Sequence, residues 1–132
     1  MLDWGYIKIK YSMLGKIIKI FREKRGIGVM ELAKKLGINR ISLFRIEKEE
    51  RAPSEETALK AFRIFGLSEE NIYQIFIFNE LVRFNDLSRK AGDREVRRFL
   101  AQLNKNDENG KIIYDCFNQA LKEKTNVSKE KK

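Results

Sequence analysis

The segment ELAKKLGINRISLFRIEKEE, residues 31–50, constrains the fold of this chain more than any other part. Apolar residues at helical spacing run up to Gly37, and glycine commonly ends a helix. Asn39 then offers a favoured N-cap for a second short helix. The pattern therefore predicts two short helices that meet at a glycine. Their inward positions are Leu32, Ala33 and Leu36 in the first helix, and Leu43 and Ile46 in the second.

The segments on either side of this pair also have helical periodicity. A preceding helix is predicted to end near Gly26. A following helix is capped by Ser54, ends at Gly66 and carries Glu55 and Glu56 in its first turn, where acidic groups suit the helix dipole. The pattern therefore predicts that residues 14–68 form a compact four-helix unit. The inward positions of the two flanking helices are Leu14, Ile17, Ile18, Phe21, Ala58, Ala61, Phe62 and Phe65.

Residues 69–124 predict a helical extension of this unit. Ser68 caps a helix over residues 69–90, Asp93 begins another, and the turn KNDENG precedes a last one. The helix over residues 69–90 carries more apolar surface than one buried stripe requires, so we expect it to be buried on two sides. This leaves two alternatives for the extension: it forms a dimer contact, or it extends the core of the monomer. The apolar positions are Ile72, Ile75, Phe76, Phe78, Leu81, Val82, Phe84, Val96, Phe99, Leu100, Leu103, Ile112, Ile113, Cys116, Phe117, Ala120 and Leu121.

The two ends of the chain have different patterns. Residues 1–13 include WGYIKIKYS, whose alternation predicts a strand in an N-terminal arm. That arm either pairs with its copy in a dimer or lies loose. Residues 125–132, TNVSKEKK, are polar and predict a disordered tail.

Charge points to a polyanionic partner. The chain of 132 residues has a formal net charge of +9. Residues 14–68 carry 13 basic and 7 acidic residues, a net charge of +6. The four-helix unit is therefore where we expect binding to a polyanion, such as nucleic acid or an acidic membrane surface.

Composition argues against catalysis and against a bound metal. The chain has no histidine, no glycine-rich phosphate loop and a single cysteine, Cys116, which lies in an apolar run. We therefore predict that the chain is not an enzyme and has no cofactor and no metal site. The single cysteine has no disulfide partner, and the chain has neither an apolar run of membrane-spanning length nor a signal-peptide pattern. We therefore expect a cytoplasmic protein without membrane contact.

Two short helices that meet at a glycine turn are the geometry of a helix-turn-helix, in which the second helix enters the major groove. Ala33 is small where the helices cross, and Gly37 follows four residues later. With LGKIIKIFREKRGI before the pair and RAPSEETALKAFRIFGL after it, residues 14–68 resemble the Cro/repressor-type (XRE) helix-turn-helix family. The resemblance implies an all-α, lambda-repressor-like domain of four to five helices with a C-terminal helical extension. It also implies a sequence-specific transcription regulator of the Cro/repressor type that binds double-stranded DNA. We expect a homodimer, because one recognition helix reads only a few base pairs and half-sites repeat about one helical turn apart.

The resemblance further implies roles for individual residues, with residues 40–49 as the recognition helix. Helical spacing independently places residues 41, 44, 45 and 48 opposite the inward positions 43 and 46. The implied base-reading residues are Arg40, Ile41, Phe44 and Arg45. The implied phosphate contacts are Gly28, Val29, Lys34, Lys35, Ser42, Lys48 and Arg51, and the implied structural ion pair is Arg22 with Glu47.

Two departures from the family pattern reduce the expected affinity for DNA. Gly28 and Val29 stand where the family usually has a capping residue and a phosphate-binding glutamine. Glu49 and Glu50 replace the usual glycine and basic residue after the recognition helix.

The alternative function is an antitoxin or adaptor protein. In that case exposed apolar residues of the recognition helix, and the C-terminal helices, contact a protein partner.

Overall fold

The computed structural model describes residues 13–80, 97–98, 101–103 and 107–130, with side chains of the last helix described through residue 119. These residues are predominantly helical, which confirms the all-α prediction, and none of the described residues is in a strand. The main helices are α1 (Leu14–Lys24), α2 (Val29–Leu36), α3 (Arg40–Glu47), α4 (Glu55–Ile64), α5 (69–80 of the described chain) and α6 (Glu108–Glu130).

Side-chain caps begin three of these helices, as the sequence predicts. The side chain of Asn39 accepts a hydrogen bond from the backbone N–H of Ser42 at 2.7 Å and so begins α3. Ser54 accepts in the same way from Thr57 at 3.1 Å at the start of α4. At α5, Ser68 Oγ accepts from the N–H of Asn71. Each cap satisfies a helical N–H group that has no partner within its helix.

The inward positions predicted for α1 to α4 form one hydrophobic core. Phe21 and Phe62 are fully buried at its centre, and Phe21 stacks on Phe65 with ring centroids 6.0 Å apart. Ile38 is half-buried and packs against the edge of this core. The 3.6-residue periodicity therefore identified the buried face of each helix correctly.

The described part of the extension packs into the same core. Phe78 of α5 and Phe117 of α6 are fully buried, and their rings stack at a centroid distance of 3.5 Å. Arg25, just after α1, donates hydrogen bonds to the Phe65 carbonyl oxygen at 3.0 Å and to Asn109 Oδ1 at 2.6 Å. Phe78 and Phe117 are thus buried within the monomer, as the second alternative predicts, and a dimer contact through other residues of the extension stays a prediction.

Helix boundaries differ from the prediction at three places. Helix α3 ends at Glu47 rather than at residue 49. Helix α6 begins at Glu108, inside the predicted turn KNDENG, because Asp107 Oδ2 accepts a hydrogen bond from the N–H of Gly110 at 3.0 Å. Helix α6 also continues to Glu130, so the prediction of disorder is wrong for residues 125–130. Polar composition shows that a segment cannot build a core, but a helix that is already nucleated can continue through such residues.

Some predicted features lie outside the described residues. They are the strand in residues 1–12, the start of a helix at Asp93, the apolar positions Leu81, Val82, Phe84, Val96, Phe99 and Leu100, and the side chains of Ala120 and Leu121. Met13, where the description begins, is buried, and its N–H donates to Asn79 Oδ1 at 2.7 Å. The chain therefore enters α1 anchored to α5.

Cys116 is buried within the core and its thiol is protonated at neutral pH. Burial raises the pKa of this thiol to about 11. A buried, protonated thiol is a poor nucleophile, so Cys116 acts as a small apolar side chain. No helix in the described ranges is long and apolar enough to cross a membrane.

Helix α1 crosses α3 at Gly15, where the two backbones are in close contact. A Cβ atom at this position would overlap the carbonyl oxygen of Ile46 in α3. We expect Gly15→Ala to lower the free energy of unfolding by about 1 to 3 kcal/mol, since α3 must shift to make room. Without this contact the same change inside a helix would raise it by about 0.5 to 1 kcal/mol. Urea denaturation gives the sign, and an increase would contradict the close contact.

Candidate nucleic-acid interface

The turn between α2 and α3 fixes the angle of the second helix. Gly37 has φ +74°, a left-handed conformation that glycine adopts without a steric penalty. Its N–H donates to the carbonyl oxygen of Lys34 at 3.2 Å, and the N–H of Ile38 donates to that of Ala33 at 3.1 Å. The cap at Asn39 follows directly, so only two residues separate the end of one helix from the cap of the next.

Helix α3 has one buried face and one exposed face. Leu43 and Ile46 are buried against α1 and α2. The four predicted base-reading residues are all exposed on the described surface, and two of them are apolar: Ile41 is 58% exposed and Phe44 is 52% exposed. A large apolar side chain this exposed contributes little to folding. The exposed residues of this face are Arg40, Ile41, Phe44 and Arg45.

An open groove of about 360 Å³ lies between the start of α2 and the exposed face of α3. It brings together three predicted contact residues of α3 and Val29 of α2. It also contains Met30, which is 68% exposed and was not among the predicted site residues. The sequence indicates only that Met30 lies outside the inward face of α2. The structure shows that it lies beside α3. The groove is lined by Val29, Met30, Arg40, Ile41 and Phe44.

The predicted phosphate contacts are spread around this groove. Gly28 is the exposed N-cap of α2, and no side-chain hydrogen bond caps that helix start. Val29 is half-buried, with its side chain against the core. Lys34 and Lys35 lie in the last turn of α2, at the other end of the helix, and Lys35 Nζ lies 3.6 Å from Glu31 Oε1. The structure thus separates these two lysines from the start of α2.

The remaining predicted phosphate contacts belong to α3 and the loop after it. Ser42 is half-buried and its N–H is bound by the Asn39 cap. Lys48 Nζ lies 4.5 Å from the centre of the Phe44 ring, a cation–π contact that holds the charge beside the exposed face of α3. Arg51 is exposed. Lys48 therefore lies beside the predicted base-reading residues of α3.

The ion pair predicted between Arg22 and Glu47 is present and joins α1 to the end of α3. Arg22 Nε donates to Glu47 Oε2 at 2.7 Å and Nη2 donates to Oε1 at 3.0 Å, while Nη1 donates to the Ile27 carbonyl oxygen at 2.9 Å. The hydrogen bonds with Glu47, and the charge of that carboxylate, raise the pKa of Arg22 above its ordinary value. The pair holds the C-terminal end of α3 against α1.

Comparison with known proteins identifies the family. The helix-turn-helix family matches residues 18–72. The "Uncharacterized HTH-type transcriptional regulator" of Methanocaldococcus jannaschii is 36% identical over 56 residues, which cover 42% of this chain and 85% of that protein. The chain belongs to the XRE-type helix-turn-helix family.

A second relative extends the similarity to a much longer protein. The "Putative HTH-type transcriptional regulatory protein" of Thermococcus gammatolerans is 42% identical over 60 residues, or 46% of this chain. The chain spans only 18% of that relative's length. No solved structure matches the chain. Within the described ranges, no group of three His, Cys, Asp or Glu residues could hold a metal ion.

This helix-turn-helix protein ends its recognition helix in a Schellman motif with an unusual residue. The N–H of Glu49 donates to the carbonyl oxygen of Ile46, and the N–H of Glu50 donates to that of Arg45, each at 3.0 Å. Glu49 has φ +63°, the left-handed conformation that favours glycine. The missing glycine after α3 therefore adds backbone strain as well as negative charge.

Glu49→Gly is expected to raise the free energy of unfolding by up to about 1 kcal/mol, because it removes the strain of a left-handed non-glycine residue. Glu50→Gly removes an equal charge at the next position, where the backbone is not left-handed, and should give no gain. Thermal unfolding of the two variants separates strain from charge. Equal stability changes in both would contradict the strain at Glu49.

Proposed function

We propose that this chain is a sequence-specific DNA-binding transcription regulator that places α3 in the major groove. The observation that carries the proposal is the exposed face of α3, which presents two arginines and two apolar side chains. Three of these four, Arg40, Ile41 and Phe44, also line the groove beside the start of α2. Two relatives named as HTH-type transcriptional regulators support it. In this proposal the chain acts by binding rather than catalysis, works in the cytoplasm and needs no cofactor.

The two arginines would supply direct readout of bases. Arg40 and Arg45 each carry a guanidinium that can donate two hydrogen bonds to O6 and N7 of guanine. A good bidentate contact of this kind is worth about 1 to 3 kcal/mol of discrimination against the wrong base. Both side chains are exposed on α3, so neither has to be released from the core before it meets DNA.

Phosphate contacts would come from both ends of the interface. Lys48 and Arg51 offer positive charge after α3, and the uncapped N–H groups at Gly28 and Val29 can bind a phosphate at the start of α2. Each phosphate that is neutralised releases counterions, so the affinity should fall with salt. Glu49 and Glu50 oppose this attraction locally, and we expect a shallower salt dependence than a fully basic loop would give.

We also propose a homodimer, because a recognition helix of eight residues reads only a few base pairs and half-sites lie about one helical turn apart. Many described apolar residues of α5 and α6 are buried within the monomer, but Tyr73 of α5 is 65% exposed. The extension, residues 69–124, stays the predicted source of the dimer contact.

The second candidate function is an antitoxin or adaptor protein. The exposed apolar residues of α3 favour it, because clusters of this kind also mark protein interfaces. Substitution of Arg40 and Arg45 by alanine separates the two functions. Loss of DNA binding with no effect on a partner protein favours the regulator, and the reverse favours the adaptor.

The test of the proposed function is an unbiased selection from random duplex DNA at a fixed salt concentration, followed by binding measurements between about 50 and about 200 mM salt. The proposal predicts an enriched sequence motif and an affinity that falls as salt rises. Recovery of no motif, with no salt-dependent binding to any duplex, would refute it.

A further inference from the structure

The apolar part of the groove between α2 and α3 is exposed rather than buried in the core. Met30, Ile41 and Phe44 are 68%, 58% and 52% exposed, although each belongs to a helix whose inward apolar residues are buried. Leu32 and Leu43, their inward neighbours, are fully buried and join the two helices in the core. The three exposed side chains thus form a separate apolar surface, which we name the apolar cluster.

The charges around the apolar cluster indicate its occupant. Arg40 lines the same groove, Lys48 lies against the Phe44 ring, and Arg45 is exposed on the same face of α3. None of the described residues that line the groove is acidic. An apolar surface beside these basic side chains fits a polyanion that displays small apolar groups.

Duplex DNA displays one such group in the major groove, the 5-methyl group of thymine. The other features of the base edges there are hydrogen-bond donors and acceptors, which Met30, Ile41 and Phe44 cannot satisfy. Placing these side chains against guanine or cytosine would desolvate polar atoms without replacing their hydrogen bonds. The apolar contact with the methyl group and the desolvation cost at guanine or cytosine both favour a thymine at this position of the site.

We propose that Met30, Ile41 and Phe44 form a reader of pyrimidine 5-methyl groups, which makes the chain select thymine at the base pair that the groove covers. The inference rests on the proposed function, because it assigns a base preference to the same DNA-reading face. It adds a residue of α2, Met30, to the specificity-determining set. The arginines then read guanine beside this thymine.

The expected effect is set by the methyl group itself. Removing one contacted 5-methyl group should weaken binding about four-fold, the value for one buried aliphatic carbon. Replacing thymine by uracil does this and leaves every hydrogen-bonding group of the base pair unchanged. The change is therefore a clean probe of apolar contact.

The experiment uses the full chain and the duplex recovered by selection, with each thymine replaced in turn by deoxyuridine. Wild type should bind about four-fold more weakly at one or two positions. In Ile41→Ala, Phe44→Ala and Met30→Ala, the difference between thymine and uracil at those positions should shrink. Tyr73→Ala removes an equally exposed side chain, 65% accessible on α5, and should keep the full difference.

Several outcomes would overturn the inference. One is salt-dependent binding with equal affinity for thymine and uracil at every position, which leaves the proposed function intact. Another is a selected site with no thymine. A third is that the three variants change the sedimentation of the free protein while the thymine preference stays, which would make the cluster a protein interface. Absence of any DNA binding would refute the proposed function as well.

Discussion

Glu47→Ala is expected to lower the free energy of unfolding by about 3 to 5 kcal/mol, because it leaves the Arg22 guanidinium buried without its counter-charge. The side chains of Arg22 and Glu47 are only 12% and 7% exposed, and two hydrogen bonds join them. After the substitution Arg22 keeps its hydrogen bond to the Ile27 carbonyl oxygen at 2.9 Å and a longer contact, 3.9 Å, with the exposed carboxylate of Glu23. Urea denaturation followed by circular dichroism measures the loss.

A double variant provides the control for this prediction. Arg22→Met with Glu47→Leu removes both charges and fills a similar volume, so it should recover most of the stability that Glu47→Ala loses. Glu47→Gln, which keeps the shape and one acceptor oxygen, should lie between wild type and Glu47→Ala. A Glu47→Ala protein as stable as wild type would show that the pair does not hold α3 against α1.

Arg40→Ala and Arg45→Ala are each expected to weaken binding to the selected duplex by about 1 to 3 kcal/mol, roughly 5-fold to 150-fold. Each substitution removes a bidentate contact to guanine, so it should also relax the base preference at one position of the site. Neither should change the free energy of unfolding by more than about 0.5 kcal/mol, because both side chains are exposed. Fluorescence anisotropy at fixed salt measures the affinities.

Two matched variants show whether the arginine effect is specific. Arg63 is also an exposed arginine, but it lies on α4 and pairs with Glu69 at 3.6 Å, so Arg63→Ala should bind as wild type does. Arg51→Ala should weaken binding to all sequences alike and reduce the salt slope by about one. If Arg40→Ala, Arg45→Ala and Arg63→Ala lose affinity equally and keep the same base preference, the effect is net charge alone.

Local periodicity and capping chemistry were enough to predict much of the fold. Asn39, Ser54 and Ser68 begin helices as expected, because a cap depends on a side chain and a backbone group only three residues apart. The buried faces of α1 to α4 were predicted for a similar reason, since each face repeats at the helical period.

Features that depend on contacts between distant segments could not be predicted. The close approach of Gly15 to Ile46 joins residues far apart in the sequence. Met30 is an unremarkable residue of α2 until the turn at Gly37 brings α3 beside it. Tertiary packing determines both the close approach at Gly15 and the position of Met30 beside α3.

The candidate site divides along the same line. The exposed residues of α3 follow from its helical period, so their shared face was predictable. The contact of Lys48 with the Phe44 ring, which holds its charge beside that face, was not predicted from the sequence. Glu49 was recognised as an acidic departure from the family, whereas its left-handed backbone is visible only in the structure.

In the proposed function, DNA binds to the exposed face of α3 together with the start of α2. Titration of isotope-labelled protein with the selected duplex, followed by amide chemical-shift mapping, shows which residues DNA contacts. We expect shift changes concentrated in residues 28–30 and 40–51, with little change in α5 and α6. Shift changes concentrated in α5 and α6, with residues 40–45 unaffected, would contradict it.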